Sequence, residues 1–369
     1  MKKKIMFFMY SLAGGGAERT VVNIINNLDR NKYKILLVIG TEKNNDYLDL
    51  VPRDVEIINL DSKRLRYCIF KLTICILKQK PNLLFSTVNQ NNIILLISRL
   101  LTFKRIPIVV REANNRTQSG KVTKFNKLLT FLLYNSIANK VIALSRGVKN
   151  DLVNNFYVRE DKIEVIYNPI EIGNIKHLSN EKIDDFYKTK NEKIIIAVGR
   201  LVEQKDFKTL IKAFSIVTKE IKSRLLILGK GPLESELKKL CESLGIKDKV
   251  IFAGFKKNPY KYMKLSDVFV LSSKWEGFGH VIVEAMAVGT PVISTNCKSG
   301  PSEIIKDNQY GILVPVNNYK ILADEIIRLL SNNHLMKKYK EKGLIRSKDF
   351  NALNITKMYE KVFDELLKI

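Results

Sequence analysis

A chain of 369 residues exceeds one typical domain and suits two of about 170–190 residues, and apolar residues at 46% can fill two cores. No window of about 18 uninterrupted apolar residues occurs, which argues against a transmembrane helix. Cys68, Cys75, Cys241 and Cys297 show no metal-ligand or disulfide spacing, so a reduced cytoplasmic setting is expected. The net charge of +26 asks for a partner or a compositional reason, and high Lys, Asn and Ile supply part of the latter. Between Asp61 and Asp151 stand 17 Lys or Arg and a single acidic residue, Glu112. Anionic lipid headgroups, a lipid pyrophosphate or nucleic acid could satisfy such a face, and so could water alone.

Lys4 to Met9 reads as the first strand rather than a signal peptide, because its apolar part is short and runs into a glycine loop. That loop, from Ser11 through Gly14, Gly15 and Gly16 to Arg19, precedes a helical pattern at Val22, Ile25 and Leu28. Glycines between a strand and a helix let backbone approach a phosphate, or simply make a tight turn. The G-x-G-x-x-G spacing is absent. Strands are expected at Ile35–Ile39, Val55–Asn59, Leu83–Ser86, Ile106–Val110 and Val141–Ala143, with helices between, which predicts a doubly wound parallel sheet. Arg64 to Leu72 and Lys121 to Tyr134 mix basic with apolar and aromatic residues. Such helices lie in a membrane interface, or pack one face on the sheet and leave lysines in water. Arg111, Glu112 and Asn114 follow a predicted strand, at the sheet's carboxyl end. There Glu112 can act on an acceptor or pair with Arg111 or Arg116.

Gly173 to Asn191 is polar and reads as a linker, and Ile194–Val198 opens the second domain. Arg200 and Lys205 follow that strand and precede a helix at Phe207–Val217, so both can project over the sheet's carboxyl edge. No Asp-x-Asp occurs to hold a divalent metal. Lys230 follows the next strand. Val268–Leu271 reads as a buried strand, then a loop carries Glu276, Gly277, Phe278 and Gly279. From Val281 to Ala287 the pattern turns helical, with Glu284 on the first turn, and Pro291–Ser294 reads as the next strand. This strand–loop–helix–strand unit offers backbone amides at the helix start for an anion. Glu276 and Glu284, spaced Glu-x7-Glu, can accept from sugar hydroxyl pairs. The plainer reading makes Glu284 a complement to the helix dipole and Glu276 a solvated loop residue. Glu303 opens a further helix, and Asn351–Ile369 reads as an amphipathic helix.

The run EGFG, EAMA, GTPVIS and YGILVP, from Glu276 to Pro315, resembles the signature of glycosyltransferase family 4. So do Gly15-Gly16-Ala17-Glu18-Arg19, the Val165–Pro169 stretch and the Gly199-Arg200-Leu201-x3-Lys205 motif, and the likeness spans nearly the whole chain. The resemblance implies the GT-B fold: two Rossmann-like parallel-sheet domains facing across a cleft. Residues 1–172 would bind the acceptor, 173–191 link, 192–350 bind the donor, and 351–369 cross back to the first domain. It implies that Arg200 and Lys205 hold a donor diphosphate and Glu276 the donor sugar. Glu284 would take the ribose, and Gly15 and Gly16 would face the diphosphate. Gly277, Phe278, Gly279 and His280 complete the implied donor loop. Many members carry a His near Glu112, but the histidines here are His177, His280 and His334, so its role does not transfer.

The expected activity is retaining, metal-independent glycosyl transfer from a nucleotide sugar, UDP-linked, with no cofactor. The catalytic set would be Arg200, Lys205 and Glu276, and the acceptor side Glu112, Arg111 and Asn114. The expected acceptor is a polyprenyl-diphosphate-linked glycan of a bacterial surface polysaccharide, met at an anionic membrane by a peripheral cytoplasmic protein. A sugar-nucleotide epimerase or hydrolase, or a transferase for a soluble or protein acceptor, is the alternative. Specific nucleic-acid binding has no supporting motif.

Overall fold

Ile5 to Met9 are five consecutive buried residues, the pattern of a strand covered on both faces, as parallel strands are. The same pattern recurs along the chain. In this computed structural model, which describes every residue except Met1, Gly14, Ser119, Lys121, Asp184, Asp185, Tyr187, Lys188 and Lys190, it gives two separate parallel sheets. The expected contributions of Gly14 and Lys121 therefore lie outside the described residues.

The first sheet holds β1 (Lys3–Met9), β2 (Tyr33–Ile39), β3 (Glu56–Asn59), β4 (Leu83–Thr87), β5 (Ile108–Glu112), β6 (Lys140–Ala143) and β7 (Ile163–Val165). Their order is β3-β2-β1-β4-β5-β6-β7, every pair parallel. The second holds β8 (Lys193–Val198), β9 (Ser223–Leu228), β10 (Val250–Gly254), β11 (Val268–Leu271), β12 (Val292–Thr295) and β13 (Ile312–Val314). Its order is β10-β9-β8-β11-β12-β13. Strand order reverses between β1 and β4 in one sheet and between β8 and β11 in the other. Loops leaving the carboxyl ends of two such strands diverge to opposite faces, and the crevice between them is where open α/β sheets bind ligands.

The first compact unit comprises Met1–Ile170 and Ala352–Ile369, and the second comprises Glu171–Asn351. The last helix, Ala352–Leu367, belongs to the first unit because Ile355, Tyr359, Val362 and Phe363 repeat at helical spacing and enter its core. Tyr359 and Phe363 stack edge-on against Phe85, at 6.0 and 5.9 Å between ring centres. Of the stretch expected as a linker, Gly173 to Asn191, five residues lie outside the described ones, and parts of the rest pack on the second unit. Ile172–Leu178 is a helix that buries Ile172 and Ile175, and the Phe186 ring lies under the Arg224 guanidinium at 5.0 Å. Apolar residues spaced among polar ones had masked this packing.

Arg111 and Glu112 are the last two residues of β5, not part of a following loop. Consecutive strand residues point to opposite faces, and these two separate accordingly. Arg111, 1% exposed, donates to Thr87 Oγ1 (2.9 Å), to Tyr359 Oη (3.1 Å) and to Asn168 Oδ1. It ties the final helix and the chain just before Ile170 to the first sheet. Three of its donors are engaged inside the first unit, so the expected acceptor-side Arg111 is held within the fold.

Candidate functional site

In the second unit, two loops leave adjacent strands at the reversal point: Gly199–Asp206 after β8 and Ser272–Gly279 after β11. Backbone and side chains stitch them together. Ser272 Oγ donates to Lys205 O (2.9 Å), Lys274 N to Gln204 O (2.8 Å), and Gln204 Nε2 to Trp275 O (2.9 Å). Thr295 Oγ1, at the end of β12, donates to Ser273 O (2.6 Å) and pins the second loop from the other side.

This frame brings Lys205 against Glu276. The ammonium Nζ lies 2.5 Å from Glu276 Oε1, which also accepts from Ser273 Oγ at 2.6 Å. Both side chains are largely buried, at 16% and 8% exposure. A pair this dry is worth keeping only when each charge has a partner or a ligand to meet. Arg200, in the same first loop, is exposed and makes no ion pair among the described residues. Lys230, after β9, is likewise exposed. Positive charge is therefore presented at the carboxyl edge of this sheet.

The second loop ends at Gly279, whose φ of +96° is a conformation that side chains rarely adopt. Having no side chain, Gly279 places no side-chain cap on the helix His280–Ala287. The first turn of that helix offers its amides and positive dipole end to an anion. Gly300 fixes the loop from below: a Cβ there would stand 2.1 Å from Phe278 O, at a φ of +84°. Phe278 itself is 2% exposed and packs on Phe350 and His280, with ring centres 5.3 and 5.9 Å apart. Phe278 holds the loop's shape. Gly277 and Gly279 are buried and His280 is half-buried. Glu284 is 4% exposed at the fifth helical residue, one turn further along than the sequence implied. Nearby Cys297 has its thiol pushed up to about 12 by burial, with the Glu276 charge adding to the effect. All four cysteines are free and buried.

In the first unit, Gly15 and Gly16 are exposed where β1 gives way to the helix Gly16–Asn27, again at a reversal point. Glu112 lies at the end of β5, 1% exposed, and its Oε1 accepts from Tyr134 Oη and from Asn89 Nδ2 (3.3 Å). Desolvation raises its pKa against the opposing pull of the Arg116 charge. Asn114 is exposed and lines the same cavity as Glu112. Sequence reasoning missed Asn89 and Tyr134 here, and Ser273 and Gln204 in the second unit. None has a motif; each is identified by what it touches.

Two α/β units, each a parallel sheet with a strand reversal, make up the GT-B architecture. Family comparison agrees in both halves: residues 14–173 match the model for Glycosyltransferase Family 4, and residues 179–346 that for Glycosyl transferases group 1. A Campylobacter jejuni relative is 32% identical over 96% of this chain and 98% of its own length. It is an N-acetylgalactosamine-N,N'-diacetylbacillosaminyl-diphospho-undecaprenol 4-alpha-N-acetylgalactosaminyltransferase. An uncharacterized glycosyltransferase of Methanocaldococcus jannaschii is 29% identical over 80% of this chain and 82% of its own. Among solved structures, Anabaena HepE in complex with UDP superposes with a TM-score of 0.81 at 20% identity, covering 99% of this chain and 100% of that one. The chain belongs to glycosyltransferase family 4.

Proposed function

We propose that the protein is a retaining, metal-independent hexosyltransferase that moves a sugar from a UDP-sugar to a growing polyprenyl-diphosphate-linked glycan. The transferred sugar is an N-acetylhexosamine, and the product belongs to a bacterial surface polysaccharide. The observation that carries this reading is the Lys205–Glu276 contact beside exposed Arg200, at the reversal point of the second sheet. A leaving nucleoside diphosphate gains charge as the glycosidic bond breaks. Arg200, Lys205 and the amides at His280 stabilise that charge in place of a metal ion. Glu276 accepts from the donor sugar's hydroxyls and Glu284 from the ribose. The departing diphosphate takes the acceptor's proton. Support for UDP comes from the HepE complexes with UDP and UDP-glucose, and support for a lipid-linked acceptor from the Campylobacter enzyme's own substrate.

The first unit supports a membrane partner. The helix Cys68–Gln79 buries Leu72 and Ile76 on one face and exposes Phe70, Ile74 and Leu77 on the other. Beside it the helix Asn89–Leu101 ends at exposed Leu100 and Leu101, with Phe103 at 93% exposure. Exposed Lys63, Arg64, Arg66, Lys71, Lys78, Lys80, Lys104 and Arg105 accompany these apolar groups. Lysines in water need no phenylalanines beside them, whereas an anionic bilayer takes both. No helix among the described residues is long and apolar enough to cross a membrane. In this reading the protein works as a cytoplasmic enzyme, peripheral on the inner face of the plasma membrane.

Flotation with vesicles tests this. The protein should float with vesicles containing anionic phospholipid and not with neutral ones, and Phe70→Glu with Phe103→Glu should abolish flotation. It should transfer sugar to a polyprenyl-diphosphate-linked saccharide in those vesicles. Indifference to both, with efficient transfer to a water-soluble saccharide, contradicts the reading.

A further inference from the structure

Phe278 stands between Gly277 and Gly279, just before the helix His280–Ala287, and its place is fixed from two directions. Its carbonyl oxygen lies so close to Gly300 that a Cβ there would stand 2.1 Å from it. Its ring, in a residue 2% exposed, packs edge-on with the Phe350 ring, 5.3 Å between centres.

Both directions lead to Arg346. Gly300 precedes the short helix Pro301–Ile305. Arg346 donates from Nε to Ile304 O (2.9 Å) and from Nη2 to Glu303 O (2.8 Å), both on that helix. The same guanidinium lies 4.6 Å from the centre of the Phe350 ring and donates from Nη1 to Asp349 Oδ2 (2.6 Å). Two supports of one loop residue, far apart in sequence, are held by a single side chain.

Arg346 is 5% exposed. Taking a guanidinium out of water is unfavourable. What it adds is a planar fork that fixes its partners relative to one another, which neither an apolar side chain nor the point charge of a lysine does. The helix Asn333–Ser347 that carries it also packs closely on His280–Ala287. At Gly343, one turn before Arg346, a Cβ would stand 3.3 Å from Met286 Cγ.

We infer that Arg346 and Phe350 are positioning residues of the donor site. Through Phe278 they set where the amides at Gly279 and His280 stand, and so how those amides meet the diphosphate. At 5% and 1% exposure they act through Phe278, not on the nucleotide. The inference rests on the donor site proposed above.

Titration of the full chain with UDP, combined with amide hydrogen exchange, tests it. Arg346→Lys keeps the charge but not the fork, and Phe350→Leu keeps an apolar filler but not the ring. Each should weaken UDP binding about tenfold, the scale of one hydrogen bond to a charged group. Exchange should quicken in residues 277–282 and stay as in the wild type in β8 and β9, since the loss is local. One variant that folds and behaves so is sufficient support. UDP binding unchanged in both variants, exchange that quickens throughout the second unit, or failure of both variants to fold overturns the assignment, because the residues then serve the fold alone. Wild type that does not bind UDP removes the donor site and this inference with it. Wild type that binds UDP, beside variants that bind it equally well, removes the positioning role only.

Discussion

Arg200→Ala is expected to lower kcat/KM by about 10²–10³-fold, the cost of one preorganised electrostatic donor, about 2.7–4 kcal/mol. The residue is exposed and makes no ion pair among the described residues, so the folded state loses little when it is removed. Its charge matters only when a diphosphate is present and building negative charge. Unfolding in urea should leave the midpoint unchanged, and Arg200→Lys should recover only part of the rate because a point charge replaces a bidentate fork. A fall of less than tenfold would place the leaving group elsewhere.

The Lys205–Glu276 pair predicts the largest stability effect. Removing one member of a buried pair leaves the other charge without compensation, at about 3–5 kcal/mol. With 16% and 8% side-chain exposure, Lys205→Ala belongs near the lower bound, about 3 kcal/mol. Glu276→Ala strands the same ammonium group and a Ser273 hydroxyl that now donates to Glu276 Oε1. Lys205→Ala combined with Glu276→Ala should cost clearly less than the sum of the two single changes, by more than about 1 kcal/mol. All three variants should be inactive, because stability regained by removing both charges does not restore the diphosphate and sugar contacts. Strictly additive unfolding energies would mean that the two side chains do not meet in solution.

The parallel sheets were legible because strands covered on both faces read as unbroken apolar runs, as in Ile194–Val198 and Val268–Leu271. The loop after β11 was legible because Gly277 and Gly279 stand between an apolar run and a helical pattern, and Gly279 takes a φ of +96°. The errors fall where tertiary partners overrule local appearance. Arg111 and Glu112 look like loop residues, but they end a strand because Thr87, Asn168, Tyr359, Tyr134 and Asn89 satisfy them from distant parts of the chain. The polar stretch 173–191 looks like a spacer, yet among its described residues Ile175, in a helix ending at Leu178, and Phe186 are buried. The Val88 backbone, at a φ of +72°, leaves no trace in the sequence at all, since nothing about a valine announces a left-handed residue.

The central claim is that the second unit binds a uridine diphosphate without metal, through Arg200, Lys205 and the helix start at His280. Thermal unfolding with UDP, GDP and ADP, each in EDTA, tests it most directly. At 100 times its dissociation constant UDP should add about 2.7 kcal/mol of apparent stability, with little response to GDP or ADP, and Arg200→Ala should blunt the shift. No stabilisation by any of the three, or stabilisation by UDP only when a divalent ion is restored, would contradict the account.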